Sequence, residues 1–325
     1  MVVLLIAAWA FLVLILFTTI HHRFTNAFCK SNKRLDGKTC VVTGGTMGMG
    51  LEIAKDFARR GAKVIIACPF ENEGLDAQKL IKEETGNNQV IFKHLNLESL
   101  ESTRNFAQDI LRTEDRLDVL VNNAGVGAFA SLTPDGLLNT MQINYYGPFL
   151  LTILMLPLLK QTGTSEDKTR IVNTTSVLHK IGTFKPKNMN RPEDWIMVYS
   201  NSKLCLVLFT RELAKRLKGQ NVVVNAVDPG GVGTKIYYNS TGAFFGKFLE
   251  IFCKKVMKTP WEGCQTALHV ALDEKLGDVS GEYFRNCKRH RAKALCYDDK
   301  AARELWDESV QLVKLQQCEM DECIR

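Results

Sequence analysis

A tyrosine and a lysine stand four residues apart in the stretch VYSNSKLCLVLF, as Tyr199 and Lys203. Four positions is about one turn of an α-helix, so a helix would project both side chains from the same face. An ammonium beside a phenol stabilises the phenolate and lowers the pKa of the phenol. The pair therefore predicts that Tyr199 can act as an acid or base near neutral pH, although this spacing also occurs by chance on solvated helices.

A glycine-rich turn near the start of the chain predicts dinucleotide binding. The stretch TGGTMGMG, residues 43–50, lies between a strand-like and a helix-like segment. Gly44, Gly48 and Gly50 let the backbone turn tightly and approach a pyrophosphate, which accepts hydrogen bonds at the positive end of the following helix. The spacing is not the G-x-G-x-x-G fingerprint, so the strand–turn–helix context supports the prediction more than the glycines alone.

Strand-like and helix-like segments alternate through most of the chain. Apolar runs predict strands at 39–44, 63–68, 90–95, 117–125, 170–176, 221–231 and 281–284. Helices are predicted at about 50–60, 77–84 and 99–111, over a long region that ends near 159, and around Tyr199. This alternation predicts an α/β fold with a parallel sheet and helices on both of its faces.

Composition and charge disfavour other classes of protein. A hydrophobic share of 46% allows a sizeable core, and 325 residues suit one large or two small domains. The net charge of +7 is accompanied by two basic clusters, KSNKR at 30–34 and KRHRAK at 288–293. A solvated face or contact with anionic lipid headgroups explains these clusters better than nucleic acid, for which no binding motif is present.

The cysteines indicate a reducing compartment, and the sequons give no evidence of secretion. Ten cysteines are scattered without a Cys-x-x-Cys pair, and no histidines are grouped at metal-ligand spacing. We therefore expect free thiols and no metal site. Of the two Asn-x-Ser/Thr sequons, at Asn173 and Asn239, the first lies in an apolar strand-like run and could not carry a glycan after folding.

An uncharged apolar run at the N-terminus predicts a membrane anchor. Residues 2–20, VVLLIAAWAFLVLILFTTI, are just long enough to cross the hydrocarbon core of a bilayer. A cleaved signal peptide is the alternative, but no basic residue precedes the run and no small-x-small site follows it. Basic residues follow the run, so the positive-inside rule predicts a single-pass protein with a cytosolic domain. We expect an anchor at 1–22, a basic linker at 23–37 and a catalytic domain at 38–325.

Five motifs in a fixed order resemble the short-chain dehydrogenase/reductase family. They are TGGTMGMG, VNNAG at 121–125, IVNTTS at 171–176, YSNSK at 199–203 and DPGGVGT at 228–234. The resemblance runs from about Lys38 to the C-terminus and implies a single doubly wound, Rossmann-type domain. The stretches SKLCLVLFTRELAKRL and KTPWEG look similar to the membrane-anchored retinol dehydrogenase branch and its polyprenol dehydrogenase relative.

The resemblance implies roles for individual residues. Tyr199 would transfer the proton, and Lys203 would assist it and hold the cofactor ribose. Ser176, 23 residues before Tyr199, would hydrogen-bond the reacting substrate oxygen, and Asn144 in QINYYG would orient Lys203 through the backbone and water. The residues implied in cofactor binding are Gly44, Thr46, Gly48, Met49, Gly50, Asn96, Asn123, Tyr199, Lys203, Gly230, Val232 and Thr234.

The family's cofactor is NAD or NADP, and the residues that normally select between them are missing. An acid at the end of the second strand favours NAD, and a basic residue nearby favours NADP. Here Cys68 and Pro69 occupy that position, and Thr46 and Met47 supply no basic residue. Asn96 stands where the family commonly carries an aspartate against the adenine. The choice between NAD and NADP stays open, with a distant basic residue, Arg59 or Arg60, as one possible selector.

The expected substrate is a lipophilic alcohol or its carbonyl partner. The stretch FFGKFLEIFCKKVMK, residues 244–258, has large apolar residues at one-face helical spacing, in a region that covers the substrate pocket in this family. Retinoid, polyprenoid and steroid substrates are not distinguished by the sequence. An inactive membrane-tethered scaffold is the alternative function. We expect membrane contact at the endoplasmic reticulum or a lipid droplet and no nucleic acid, with a homodimer left open.

Overall fold

The computed structural model describes Trp9 and residues 26–127, 131–185, 189–191, 193–233, 257–317 and 319–320. Four features of the sequence analysis lie outside these residues: the apolar run at 2–20 apart from Trp9, the cofactor residue Thr234, the sequon at Asn239, and the stretch 244–256. The other predicted strands, helices and site residues lie within the described part of the chain.

In the described part of the chain, eight strands form one sheet in the order β3-β2-β1-β4-β5-β6-β7-β8. The strands are β1 Thr39–Thr43, β2 Lys63–Cys68, β3 Val90–His94, β4 Val119–Asn122, β5 Thr169–Thr174, β6 Val222–Asp228, β7 Tyr283–Arg285 and β8 Lys288–His290. Neighbours from β1 to β7 pair in parallel, which confirms the predicted doubly wound sheet. β8 pairs antiparallel to β7 and was not predicted, because its sequence Lys-Arg-His has no apolar alternation.

Seven helices cover the two faces of the sheet in the described residues. They are α1 Gly48–Arg59, α2 Glu71–Thr85, α3 Leu100–Thr113, α4 Asn139–Thr162, α5 Trp195–Arg216, α6 Pro260–Leu272 and α7 Asp299–Leu312. One apolar cluster lies between the sheet and α3, α4, α5 and α7, and a second lies between the sheet and α1, α2 and α6. The core therefore has two layers, as expected for a sheet that is buried on both faces.

Helix α2 begins six residues earlier than the sequence predicts, at Glu71 instead of Ala77. The polar, glycine-containing start ENEGLD gives a weak helical signal. Gly74 is nevertheless required inside the helix, because a Cβ there would lie only 2.2 Å from the ring of Phe92 on β3. The close approach of α2 to the sheet explains a glycine that local propensity counts against a helix.

Helix α4 is the one described helix that is long and apolar enough to cross a bilayer. Of its most apolar window, 83% is buried inside the fold, so it is the central helix of the core. Residues Gln142–Tyr146 within it form a π-helical turn. Such turns interrupt the regular hydrogen-bond ladder and occur frequently at functional sites.

Residues 26–37, expected to form a linker, lie against the domain. Ser31 Oγ donates to the backbone oxygen of Leu272 at the end of α6 (2.9 Å). The Arg60 guanidinium donates to the backbone oxygens of Ser31 and Lys33, at 2.8 and 2.9 Å, and the Lys33 ammonium pairs with Asp167. The first basic cluster is thus held in part by contacts with the fold, which the sequence analysis did not anticipate.

Candidate active site

The glycine-rich turn brings the N-terminus of α1 against the end of β1. Gly44 and Gly48 have positive φ angles of 64° and 56°, which suit glycine. A Cβ on Gly50 would lie 2.1 Å from the backbone oxygen of Gly44 and 2.5 Å from Asn123 Nδ2, so only glycine fits there. Met47 stands at the N-cap of α1 and provides no side-chain hydrogen bond to it. The first turn of α1 contains no acidic residue. This bare, glycine-lined helix end suits a pyrophosphate.

Asn123 hydrogen-bonds β4 to β1 beside this turn. Its Nδ2 donates to the backbone oxygens of Thr43 (3.1 Å) and Gly44 (3.4 Å). The Thr43 hydroxyl accepts in return from the backbone N–H groups of Asn123 and Ala124, at 3.0 and 3.1 Å. The floor of the glycine-rich turn is therefore fixed by the VNNAG motif, 80 residues further along the chain.

Three of the sequence motifs meet at Gly125, the last residue of VNNAG. A Cβ at this position would lie 3.2 Å from Asn144 Oδ1 and 3.3 Å from Lys203 Nζ. Both distances are shorter than most contacts that Cβ atoms make in proteins. Gly125 thus lets α4 and α5 bring a carboxamide and an ammonium to the same place, at the carboxyl end of β4. Ligands of open α/β sheets bind in the crevice at this edge.

Asn144 lies in the π-helical turn of α4 and is fully buried. Its side chain binds both backbone groups of Val126, because Oδ1 accepts from the N–H (2.8 Å) and Nδ2 donates to the C=O (3.0 Å). Nδ2 also donates to Ser202 Oγ (3.1 Å), and that hydroxyl donates to the backbone oxygen of Tyr199 (2.7 Å). Asn144 therefore contacts the α5 turn that holds Tyr199 and Lys203 through Ser202.

Helix α5 places Tyr199 and Lys203 on the same face, as the four-residue spacing predicts. The Lys203 ammonium lies 5.7 Å from the centroid of the Tyr199 ring. It donates to the backbone oxygen of Thr174 at the end of β5 (3.1 Å). The Lys203 side chain is 3% exposed, and this burial lowers its pKa from 10.5 to about 8. The residue therefore changes charge close to physiological pH.

Ser176 follows β5 and begins a short 3₁₀ turn, Val177–Lys180, whose Leu178 N–H it accepts at 3.3 Å. It is two residues from Thr174, so the Lys203 contact and the serine share one end of β5. His179 in the same turn is fully buried, and its Nδ1 is 2.7 Å from the backbone oxygen of Ser176. Its Nε2 accepts from the backbone N–H of Lys293 (3.3 Å). These bonds fit the neutral imidazole that carries its proton on Nδ1.

The loop after β6 lies on the other side of the crevice. Asp228 is buried, accepts from the backbone N–H of Gly230 (2.9 Å) and accepts from the Tyr283 hydroxyl (2.8 Å). Gly230 has a φ of 82°. Val232 is buried against α6, where a Cβ on Gly263 would lie 2.6 Å from its Cγ2. The loop is thereby fixed as far as the described residues reach, one position before Thr234.

The end of β2 carries no charged cofactor selector. Cys68 is 5% exposed, its thiol lies 3.1 Å from the backbone oxygen of Phe70, and burial raises its pKa. Pro69 next to it is exposed. Arg59 and Arg60 do not reach this end, because they lie at the far end of α1, about 18 Å away for a twelve-residue helix. Arg60 is engaged with residues 31 and 33, so the distant-arginine alternative is not supported.

Asn96 lies just after β3 at the same edge of the sheet. Its side-chain oxygen accepts from the backbone N–H of Glu98 (3.0 Å), and its own N–H donates to Ser102 Oγ (3.0 Å). The side chain therefore shapes the turn into α3, as asparagine commonly does. The structure places Asn96 beside the crevice but does not bring it to the group around Gly125.

The structure adds residues that the sequence analysis did not assign. Gly125 and Ser202 lie inside the quoted motifs VNNAG and YSNSK, so the motifs contained a signal. Thr174 acts through its backbone oxygen, which no side-chain pattern reveals. Asp228 opens the DPGGVGT motif, but its partner Tyr283 is 55 residues away.

We expect His179→Phe to slow turnover about tenfold, because losing a buried hydrogen bond costs roughly 1–3 kcal/mol. The bonds of His179 to the backbone of Ser176 and Lys293 fix the turn that begins at Ser176. Phenylalanine keeps the ring contact with Tyr283, whose centroid lies 4.8 Å away. Burial lowers the pKa of His179 below 6.5, so the imidazole is neutral at neutral pH. Acidification protonates Nε2, which can then no longer accept from the backbone N–H of Lys293. The kcat/KM profile of the variant should lack this acid limb.

His269→Phe is the matched control, since His269 is a partly buried histidine that also has a lowered pKa and an aromatic neighbour, Phe284. It lies on α6 and contacts Asp273, away from Ser176. Equal losses of kcat in both variants, or an unchanged acid limb in His179→Phe, would contradict a positioning role for His179.

Comparison with known proteins agrees with this geometry. The short chain dehydrogenase family model matches residues 38–242. Retinol dehydrogenase 12 of Bos taurus is 40% identical over 293 residues, which cover 89% of this chain and 90% of that protein. Among solved structures, an uncharacterised protein from Mycobacterium paratuberculosis shares 28% identity with a TM-score of 0.68, covering 86% of this chain and 95% of that one.

A short chain dehydrogenase from Shigella flexneri 2a, solved in complex with NADP, shares 25% identity with a TM-score of 0.60. The match covers 78% of this chain and 98% of that one. The family model alone covers well over half of this chain, and the sheet order and the meeting of motifs at Gly125 agree with it. The chain belongs to the short chain dehydrogenase family and is an oxidoreductase, and use of NAD or NADP is typical of that family.

Proposed function

We propose that this oxidoreductase interconverts a lipophilic alcohol and its aldehyde or ketone, with NAD or NADP as the cofactor. The observation that best supports an active enzyme is the meeting of Asn144 and Lys203 at Gly125, since Lys203 lies on the same face of α5 as Tyr199. A scaffold that had lost turnover would be free to lose any of these groups. Their joint presence in a glycine-lined crevice favours catalysis over a purely structural role.

In this proposal Tyr199 transfers the proton. Its phenol gives a proton to the substrate oxygen during reduction and takes it back during oxidation. The Lys203 ammonium stabilises the phenolate form electrostatically, and the Ser176 hydroxyl hydrogen-bonds the same substrate oxygen as it gains alkoxide character. Asn144 binds the backbone of Val126 and the side-chain hydroxyl of Ser202, so it keeps this face of α5 in register with the crevice.

The residues around the crevice fit a nicotinamide dinucleotide. The uncapped start of α1 and the glycines at 44, 48 and 50 suit its pyrophosphate, with Thr46 and Met49 in the same turn. Lys203, with three N–H donors, can hold Thr174 and ribose hydroxyls together. Asn123 and Asn96 would border the adenosine half, and Gly230, Val232 and Thr234 the nicotinamide. The chemistry that this cofactor supplies when bound is hydride transfer.

The lipophilic substrate class rests on two supports. The chain is 40% identical to a protein named retinol dehydrogenase 12. Residues 2–20 form an uncharged apolar run that suits a bilayer anchor, which would hold the enzyme where lipid-dissolved alcohols are concentrated. A retinoid or polyprenoid is therefore the first choice, and a steroid is the alternative.

The direct test is consumption of NADH or NADPH by the purified full-length protein with a panel of lipophilic aldehydes and ketones. We expect turnover with at least one long apolar aldehyde and a strongly reduced turnover with the Tyr199→Phe variant. Cofactor binding without turnover on any member of a retinoid, polyprenoid and steroid panel would favour the inactive scaffold instead.

Cofactor discrimination is expected to be weak, since neither selector is present at Cys68 and Pro69. We expect kcat/KM values for NAD(H) and NADP(H) to lie within about tenfold of each other, or roughly 1.4 kcal/mol. Pro69→Arg should shift the preference toward NADP(H), because Pro69 is exposed and a guanidinium forms paired hydrogen bonds with a phosphate. Steady-state kinetics with both cofactors measure the ratio.

Cys68→Asp should shift the preference the other way, by binding ribose hydroxyls and repelling a 2′-phosphate. Because Cys68 is buried and faces the Phe70 carbonyl, this variant should also lose stability, which makes Pro69→Arg the cleaner comparison. A hundredfold preference in the unmodified enzyme would show that a residue away from the end of β2 selects the cofactor.

The topology prediction concerns residues 2–20, which basic residues follow at Arg23, Lys30, Lys33 and Arg34. We propose a single-pass anchor in the endoplasmic reticulum or lipid-droplet membrane, with the catalytic domain in the cytosol. Protease added to intact microsomes should digest the domain. Protection that ends only with detergent, or a glycan at Asn239, would place the domain in the lumen.

A further inference from the structure

An exposed pair of stacked aromatic side chains lies beside the start of α6. The rings of Phe28 and Trp261 have centroids 5.3 Å apart and planes inclined by 29°. The two residues remain 40% and 50% exposed. Aromatic side chains of this size usually bury most of their surface, and an indole that is apolar on its faces and polar at its N–H suits the boundary between water and lipid.

The pair lies at the same edge of the sheet as the candidate active site. Trp261 is in the first turn of α6, and the next turn begins at Gly263, whose Cβ would lie 2.6 Å from Val232 and 2.9 Å from Met49 Sδ. Val232 belongs to the loop after β6, and Met49 belongs to the glycine-rich turn. A surface that received this aromatic pair would therefore also face the crevice.

The N-terminal segment is fastened to α6 next to the pair. Asn26 Nδ2 donates to Glu262 Oε1, and the backbone N–H of Cys29 donates to Gln265 Oε1, both at 3.1 Å. The apolar run ends at Ile20, six residues before Asn26. Six residues span at most about 21 Å when fully extended. If residues 2–20 cross a bilayer, the membrane surface must therefore lie close to Phe28.

Basic side chains lie beside the aromatic pair. The backbone N–H of Ala27, next to Phe28, donates to Asn286 Oδ1 (2.9 Å) in the turn that joins β7 to β8. Lys288 follows this turn on the exposed edge strand, and Lys30 is exposed two residues after Phe28. The surface thus combines aromatic and basic groups, which matches the acyl boundary and the anionic headgroups of a bilayer.

We propose that Phe28, Trp261 and Lys288 form a docking patch that seats the carboxyl edge of the sheet on the surface of an anionic bilayer. The proposal rests on the membrane anchor proposed above and adds an orientation to it. The aromatic rings would enter the headgroup and acyl boundary, to a depth of about 5–10 Å, and Lys288 would contact headgroups. The mouth of the crevice would then open toward the lipid, so an apolar substrate need not cross water to reach it.

The test uses the full-length protein in vesicles of phosphatidylcholine with phosphatidylserine, and it measures the depth of Trp261 by fluorescence quenching. The emission of Trp261 is the difference between the wild type and Trp261→Phe, since four tryptophans are present. We expect lipids brominated near the headgroup end of their acyl chains to quench most of this difference emission. Iodide in the water should quench little of it. Trp306→Phe, at a core tryptophan, is the control that should show no bromolipid-sensitive difference.

Charge reversal tests the basic part of the patch. Lys288→Glu should weaken bromolipid quenching of Trp261 in vesicles that contain phosphatidylserine, and it should have little effect in neutral vesicles. Lys79→Glu, at an exposed lysine on α2, is the matched control and should change neither.

The outcomes separate the patch from the anchor. The protein could float with the vesicles while iodide, and not bromolipid, quenches Trp261. This result would support the anchor and overturn the docking patch. Protein that does not float overturns the anchor on which the proposal rests. Shielding of Trp261 from both quenchers would show that a second copy or another part of the chain covers the pair, and this also overturns the proposal.

Discussion

Tyr199→Phe is expected to lower kcat by about 10²- to 10⁴-fold, the range that general acid–base catalysis contributes, while the cofactor Kd stays nearly unchanged. The substitution removes the phenolic hydroxyl and keeps the ring over which the Lys203 ammonium lies. Tyr199 also holds its place in α5 through its backbone oxygen, which accepts from Ser202 and is untouched by the change. Steady-state kinetics with an active aldehyde and a direct titration with the cofactor measure the two quantities.

Tyr297→Phe provides the matched control for this variant. It makes the same chemical change at a tyrosine whose hydroxyl accepts from the backbone N–H of Ala292. Its ring packs against Arg211, twelve residues or about 18 Å along α5 from Tyr199. We expect kcat of this control to stay close to that of the wild type. If Tyr199→Phe keeps a substantial kcat, another group transfers the proton.

Local sequence predicts the parts of the site that local chemistry specifies. Gly44, Gly48 and Gly50 were found because a tight turn at a helix start requires glycine at particular positions, and these requirements are visible within eight residues. The spacing of Tyr199 and Lys203 predicts their common face for the same reason, since residues one helical turn apart project from the same side of the helix. The strands β1 to β7 and their parallel pairing followed from the regular alternation of apolar and amphipathic runs.

Other parts of the site depend on contacts that no local pattern contains. Asn144 meets Ser202 across 58 residues, and it does so through a π-helical turn inside α4 that helical periodicity does not predict. The attachment of residues 26–31 to α6 spans more than two hundred residues, so composition alone predicts a basic linker there. Gly74 weakens the helical signal of α2. A glycine is needed there because the ring of Phe92 on β3 lies so close, and the local sequence does not reveal this contact.

Lys203→Ala is expected to reduce turnover and also to weaken cofactor binding, which distinguishes it from Tyr199→Phe. The change removes the positive charge beside the phenol, the donor to the Thr174 backbone oxygen and a donor for the ribose. We expect kcat/KM to fall at least about 10³-fold, or roughly 4 kcal/mol, with a clear rise in the cofactor Kd. Lys55→Ala, at another buried lysine on α1 that pairs with Glu84 of α2, controls for general destabilisation.

The pH dependence of cofactor binding gives the sharper readout for Lys203. Burial lowers its pKa to about 8 in the free protein, so the ammonium is present below that pH and is lost above it. A cofactor that needs the charged form should bind more weakly as the pH rises through about 8, by up to tenfold for each unit, since binding must then return the proton. In Lys203→Ala this dependence should be absent and the Kd flat across the same range. A wild-type Kd that does not change between pH 7 and 9.5, measured at constant ionic strength, would show that the charge of Lys203 does not contribute to holding the cofactor.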